Sequence, residues 1–303
     1  MQSPEPNQHP PSTASRVPWW LRHRLAIQVF AAVFANSHFL RHWKGFCFPG
    51  LNCWACPGAN FACPLGALQN ACSDAGYTIA GSGLKGLIAA IPVYVIGTLL
   101  IFGALFGRMM CGWLCPFGLV QDLVGRLRKK KLPMPNWLSY VRYGVLVSLV
   151  LVVPYYTHEA WFSKLCPMGA LQGGLLQPLI RADLRPMMRH WWWLKQAILL
   201  VTIVAMLLWR RPFCGVVCPL GAIFSLAHRF SAWEIRFDED RCVHCKWCVR
   251  HCPQGIDPRY EVNGHKCIGC LECQKCPYGA ISSAPKWKPR RNTKVESTEV
   301  EAP

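Results

Sequence analysis

Residues 242–253 read Cys-Val-His-Cys-Lys-Trp-Cys-Val-Arg-His-Cys-Pro, and residues 267–277 read Cys-Ile-Gly-Cys-Leu-Glu-Cys-Gln-Lys-Cys-Pro. The first stretch is Cys-x2-Cys-x2-Cys-x3-Cys-Pro, the spacing with which a bacterial two-cluster protein ligates [4Fe–4S] centres. Three thiolates on one tight loop occupy three corners of a cubane. The proline ends the loop and turns the fourth thiolate toward the other cluster. The second stretch closes with two intervening residues where three are usual. The spacing assigns Cys242, Cys245, Cys248 and Cys276 to one cluster and Cys267, Cys270, Cys273 and Cys252 to the other. The competing chemistry is a pair of zinc sites with four cysteines each. Two runs of four, each ending in Cys-Pro, favour iron.

Working outward, the whole chain has 303 residues, of which 52% are hydrophobic and 16% charged. That balance is apolar for a soluble domain and fits a membrane protein. The net charge of +18 sits beside apolar segments, as in the loops of membrane proteins, so nucleic-acid binding is set aside. The 18 cysteines argue for metal ligation over a disulfide framework, since disulfide-rich chains are usually short and core-poor.

Four apolar segments are expected to cross the bilayer: about Leu25–Leu40, Leu84–Gly107, Leu138–Tyr156 and Trp191–Trp209. Tryptophans cluster near their ends, as an interfacial belt would. Basic residues crowd the segment between spans two and three and the sequence after span four. Both termini and the C-terminal cysteine domain are therefore expected on the cytoplasmic side of a bacterial inner membrane, in contact with membrane lipid. Gln172–Ile180 reads as a re-entrant or interfacial helix, too short to span.

The membrane part repeats at an offset of 103 residues. Cys63-Pro64-Leu65-Gly66-Ala67-Leu68-Gln69 matches Cys166-Pro167-Met168-Gly169-Ala170-Leu171-Gln172, and Arg108, Cys111, Gly112, Cys115, Pro116 and Gly118 match Arg211, Cys214, Gly215, Cys218, Pro219 and Gly221. This implies a duplicated two-helix unit with a pseudo-two-fold axis along the membrane normal. The expected organisation is a disordered basic tail over 1–20 and a four-helix membrane domain over 21–230, with repeats at about 21–125 and 138–230. A small α+β ferredoxin domain with two [4Fe–4S] clusters follows over 231–283, and a disordered tail over 284–303. The fold class is thus mainly α, with a small α+β appendage.

The repeat also supplies candidate ligands. Cys111, Cys115, Cys214 and Cys218 offer four thiolates near the axis, enough for another cluster or a soft metal such as Cu(I). Arg108 and Arg210 or Arg211 are expected to lower their pKa values. Cys53, Cys56, Cys63 and Cys166 form a candidate site at the outer face, with disulfides as the rival chemistry. Cys47 and Cys72 are the cysteines best suited to a disulfide. His38, His42 and His158 near the outer helix ends are candidate haem or quinol contacts, though a polar cap is the commoner role of such a residue. One or two metal or Fe–S sites would thus add to the two ferredoxin clusters.

The doubled Cys-Gly-x-x-Cys-Pro motif after membrane spans, followed by two ferredoxin motifs, resembles the NapH-type membrane ferredoxins and related membrane polyferredoxins over about residues 20–283. The resemblance implies electron transfer between the quinol pool or a cytoplasmic donor and a partner redox enzyme. The chain then acts as an electron-transfer subunit more than as a stand-alone enzyme, and no catalytic residue is assigned. The cysteine-rich outer loop departs from the nitrate-reductase subunit and points to a sister group. A membrane cupric reductase, or an iron–sulfur regulatory membrane protein, is the alternative.

Overall fold

The computed structural model describes residues 17–37, 46–53, 56, 59–61, 63–75, 92–128, 131–132, 134–180 and 190–289. His38, His42 and most of the expected tails, 1–16 and 290–303, lie outside them.

Four long helical runs form the apolar part: Arg24–Asn36, Val93–Phe106, Asn136–Thr157 and His190–Leu208. Two of these, Asn136–Thr157 and His190–Leu208, are long and apolar enough to cross a membrane, with mean hydropathy 1.6 and 1.7. The other two, of 13 and 14 residues, fall short of the ~20 that a bilayer core requires. Residues 38–45 and 76–91, which flank them, lie outside the described set. Large apolar side chains point outward from all four runs. Phe30 (71%), Leu100 (63%), Val147 (54%) and Val201 (68%) are exposed, which water disfavours and hydrocarbon does not.

The helices alternate in direction. The start of the first, the end of the second, the start of the third and the end of the fourth all reach the C-terminal domain. Each delivers one arginine to it. Arg24 pairs with Glu272 at 3.0 Å. Arg108 donates to the carbonyl of His265, and Arg142 donates to the same oxygen at 2.7 Å. Arg210 donates to the carbonyl oxygens of Cys252 (2.6 Å) and Val249 (3.2 Å), at the C-terminal end of the short helix Trp247–His251, where a cation is favoured by the helix dipole. At the opposite end an amide network ties the helices together: Gln172 donates to Asn36 and Asn52, each at 2.8 Å.

After the second and fourth helices the chain turns through Cys115-Pro116 and Cys218-Pro219 into Pro116–Arg126 and Pro219–His228. Proline at the first helical position costs nothing there, because its missing N–H would be an orphan anyway. The core between the repeats is built on Phe117 and Phe224, both fully buried, and on the edge-on pair Phe117–Phe213 at 4.9 Å. Pro167–Gly169, Ala170–Leu176 and Gln177–Ile180 form one continuous helical run, its middle π-helical. Trp192 of the fourth helix donates to the Gly174 carbonyl at 2.7 Å. The short apolar patch is thus a helix packed against the bundle.

The C-terminal domain has one antiparallel pair, Trp233–Phe237 with Ile281–Pro285, in register Trp233↔Pro285 and Phe237↔Ile281. Pairing continues two residues past the boundary expected at 283, and Arg236 still donates to the Lys288 carbonyl at 2.6 Å. The expected tail at the other end, 1–20, also contributes: Trp19 and Trp20 open the helical turn Trp19–Arg22, and Val17 and Trp20 pack against the domain core of Leu21, Ile235, Ile256, Leu271 and Ile281.

Candidate functional site

The two ferredoxin runs fold as near copies. His244 and Lys246 in the first, and Gly269 and Leu271 in the second, all adopt left-handed backbone at φ 52°, 57°, 59° and 59°. Three of the four are not glycine, and left-handed backbone costs such residues energy. The conformation curls each loop around a hollow. One hollow is lined by Cys242, Cys245, Cys248 and Cys276. The other is lined by Cys252, Cys267, Cys270 and Cys273. Each run therefore lends its fourth cysteine to the other. The short final gap of the second run has a local cause. Cys248 and Cys252 are joined through the α-helix Trp247–His251, whereas Cys273 and Cys276 are joined through the 3-10 helix Glu272–Lys275. A 3-10 turn rises farther per residue, ~2.0 Å against ~1.5 Å, so one residue fewer still delivers Cys276.

Burial pushes the bare thiols upward: Cys270 to about 12, with Cys248, Cys252 and Cys273 also raised. Backbone N–H groups of Gln254, Ile256 and Gly255 pull Cys252 back. Metal must displace these protons, because the thiolate is the ligand. Zinc would draw four sulfurs to ~2.3 Å from one point. Among the described residues no three His, Cys, Asp or Glu groups are placed to hold a single metal ion. Thiols arranged around a hollow fit a larger body with several metal atoms.

Cys111, Cys115, Cys214 and Cys218 are all buried and interact electrostatically with one another. The repeats exchange arginines here. Arg108 donates to the Cys214 carbonyl at 3.3 Å, and Arg211 donates to the Cys111 carbonyl at 3.2 Å. The expectation that these arginines leave low-pKa thiols is corrected by burial, which outweighs them. Cys111 is pushed up to about 11 and Cys115 to about 12. Gln121 donates to the Cys214 sulfur at 2.8 Å. Arg210 acts elsewhere, on the ferredoxin domain.

Of the outer set, Cys53, Cys63 and Cys166 interact electrostatically and line one cavity of ≈ 450 Å³, together with Trp191, Trp192 and Lys195. Cys56 is not among the lining residues; its sulfur accepts from Gln177 at 3.1 Å. Burial raises Cys166 to about 12. Cys47 and Cys72 form no disulfide in this structure. His158 is the left-handed C-cap (φ 55°) of the third helix, and its Nδ1 lies 3.2 Å from the Ser73 carbonyl. That is a capping role.

One feature was hidden in plain sequence. Cys-Pro-x-Gly occurs at Cys63, Cys115, Cys166, Cys218, Cys252 and Cys276. Cys115, Cys166, Cys218 and Cys252 share φ −65° to −68° and ψ 112° to 122°. At Cys218 the sulfur accepts from the N–H of Gly221 at 3.3 Å, and at Cys252 the Gly255 N–H donates to the carbonyl oxygen at 3.1 Å. The motif is a thiol elbow, used alike by the ferredoxin domain and the helical bundle.

A family model described as a 4Fe-4S binding domain matches residues 88–135, 142–185 and 189–237, and a second of the same description matches 235–256. The uncharacterized protein MJ0749 of Methanocaldococcus jannaschii is 33% identical over 221 residues, covering 69% of this chain and 76% of its own length. The putative electron transport protein YccM of Escherichia coli is 26% identical over 72% of this chain and 62% of its own. The regulatory protein NosR of Stutzerimonas stutzeri is 32% identical over 63% of this chain, but this is only 27% of NosR. No solved structure matches. Cysteines ringed around hollows, thiol elbows at helix starts and these matches agree: the chain belongs to the polytopic 4Fe-4S ferredoxin family and binds iron–sulfur clusters.

Proposed function

We propose that this protein is a multi-pass membrane electron carrier whose C-terminal domain holds two [4Fe–4S] clusters, one on Cys242, Cys245, Cys248 and Cys276 and one on Cys267, Cys270, Cys273 and Cys252. The observation that carries the reading is the pair of adjacent cavities, each lined by four cysteines drawn from both runs. A [4Fe–4S] cluster moves one electron at a time, at a potential set by burial, charge and hydrogen bonds to sulfur. The protein supplies those settings: burial of the cysteine elbows, and arginines fixed at the domain's base. Donor and acceptor are the quinol pool or a cytoplasmic reductant on one side and a partner redox enzyme on the other. YccM is named as an electron transport protein, which supports the general role.

With four crossings both termini and the ferredoxin domain share one side of the membrane, and the Lys- and Arg-rich segments on that side favour the cytoplasm. Support comes from the four alternating helix ends gathered at that domain and from the outward-facing apolar side chains. The test is anaerobic purification from membranes in detergent, followed by dithionite or quinol addition under stopped flow. Bleaching of the broad iron–sulfur absorbance, with about eight irons in the C-terminal pair, is expected. Zinc in place of iron, or extraction without detergent, would overturn the reading.

A further inference from the structure

The four buried cysteines between the repeats are not explained by the ferredoxin pair. Arg108 and Arg142 stand beside them, both with no exposure. Arg108 interacts electrostatically with Cys111, and Arg142 with Cys218. Neither has a carboxylate partner among the described residues, whereas the neighbouring Arg24 and Arg211 share Asp122. Their Nε atoms, Nη1 of Arg142 and the Oε1 of Gln121 are buried without a hydrogen-bond partner. Two buried guanidiniums with no carboxylate beside them make a costly arrangement, since an uncompensated buried charge is strongly unfavourable. Four thiolates around a [4Fe–4S] core in its oxidised resting state leave two net negative charges, which match the two unpaired cations.

The ligand geometry agrees. Cys115 and Cys218 present their sulfurs from the same elbow as Cys252, with φ and ψ within a few degrees. Cys111 and Cys214 lie one turn earlier on the converging chains. The four therefore form two symmetric pairs on the repeat axis. Position also fits. A Cβ on Gly112 would lie 3.1 Å from the Cα and 3.2 Å from the Cβ of Cys270, so one glycine separates Cys111 from the loop that lines the second ferredoxin cavity.

We propose that Cys111, Cys115, Cys214 and Cys218 hold a third [4Fe–4S] cluster on the repeat axis, next to the one ligated by Cys267, Cys270, Cys273 and Cys252. Arg108 and Arg142 are its counter-charges, and Gln121 a hydrogen-bond partner of its sulfur. The inference deepens the electron-transfer reading and rests on it.

The test is iron, acid-labile sulfide and copper per full-length chain, purified anaerobically in detergent, for the wild type and for Cys111→Ala/Cys214→Ala. The variant should contain about four irons and four sulfides fewer than the wild type, while the EPR signals of the ferredoxin pair remain. Equal iron in both proteins, or copper in place of iron at this site, would overturn the proposal. If the double variant does not fold, Cys115→Ser retains an oxygen ligand and should shift the g-values of one cluster beyond the ferredoxin pair. An unchanged set of signals would overturn it equally. Fewer than about eight irons in the wild type would instead sink the reading of the C-terminal motifs, so the two failures are distinguishable.

Discussion

Arg108 donates to the carbonyl oxygen of Cys214, 106 residues away in the other repeat, at 3.3 Å. Its counterpart Arg211 returns the bond to Cys111 at 3.2 Å. Gly118 and Gly221 leave room for the exchange: a Cβ on Gly118 would meet the Cys111 carbonyl at 2.8 Å, and one on Gly221 would meet the Cys214 carbonyl at 3.3 Å. The two units are thus cross-laced, each arginine fixing the backbone of the other unit's thiol segment.

Asp122 should be the most sensitive carboxylate in the protein. It accepts from Arg24 at 2.8 Å and from Arg211 at 2.6 Å. Burial alone would raise its pKa, but the two guanidiniums outweigh burial and hold it below its ordinary value. Asp122→Asn leaves the buried Arg211 without a counter-charge, while Arg24 keeps Glu272, and is expected to cost about 3–5 kcal/mol. Thermal unfolding in detergent measures this. The wild-type contribution is present above the unfolded carboxyl pKa and is lost as pH falls through the lower folded value; the variant should lack this acid limb.

His228 predicts a second pH dependence of different origin. Burial first, then Arg108 and Lys286, depress its pKa to about 4, and both ring nitrogens are buried without a partner. The unfolded chain therefore binds a proton that the folded one refuses. Stability should fall as pH drops from about 6.5 toward 4, by up to about 3 kcal/mol. His228→Gln should flatten the profile over that interval in denaturant titrations, and an unchanged slope would contradict the assignment.

Cysteine exchange between the two runs can be separated by spectroscopy. Cys252→Ser should perturb the EPR signal of the cluster held by Cys267, Cys270 and Cys273, and Cys276→Ser that of the cluster held by Cys242, Cys245 and Cys248. If each variant changed the cluster of its own run instead, the crossed assignment would be wrong.

Gly269 tests the junction between domains. Its φ is +59°, and a Cβ there would sit 2.6 Å from Cγ and 3.3 Å from Cα of Met109. Gly269→Ala combines backbone strain with a clash and should destabilise the docked domain by ~1–3 kcal/mol. Limited proteolysis should then cut the C-terminal domain faster, whereas Gly97→Ala, which meets nothing within 4 Å, should not change it.

The cysteine quartets and the tandem repeat were legible because their signal is spacing, and spacing survives in one dimension. Residue counts also revealed the odd final gap before Cys276, but not its remedy, since an α-to-3-10 change leaves no mark on residue type. The arginines were read as topology signals and pKa modifiers. Their role as clamps was illegible because the acceptors at His265, Cys252 and Val249 are carbonyl oxygens, which every residue owns. The Cys-Pro-x-Gly elbow was open to view, yet its shared geometry became visible only with the backbone angles of Cys115, Cys166, Cys218 and Cys252 side by side.

Arginines from all four helix ends grip the small domain at Glu272, His265 and Cys252. A head seated on four legs cannot swing on a tether, so charge crossing from it into the bundle need not wait for a diffusive encounter. The internal transfer rate should then be indifferent to added glycerol, and only the meeting with an outside partner should slow as the solvent thickens.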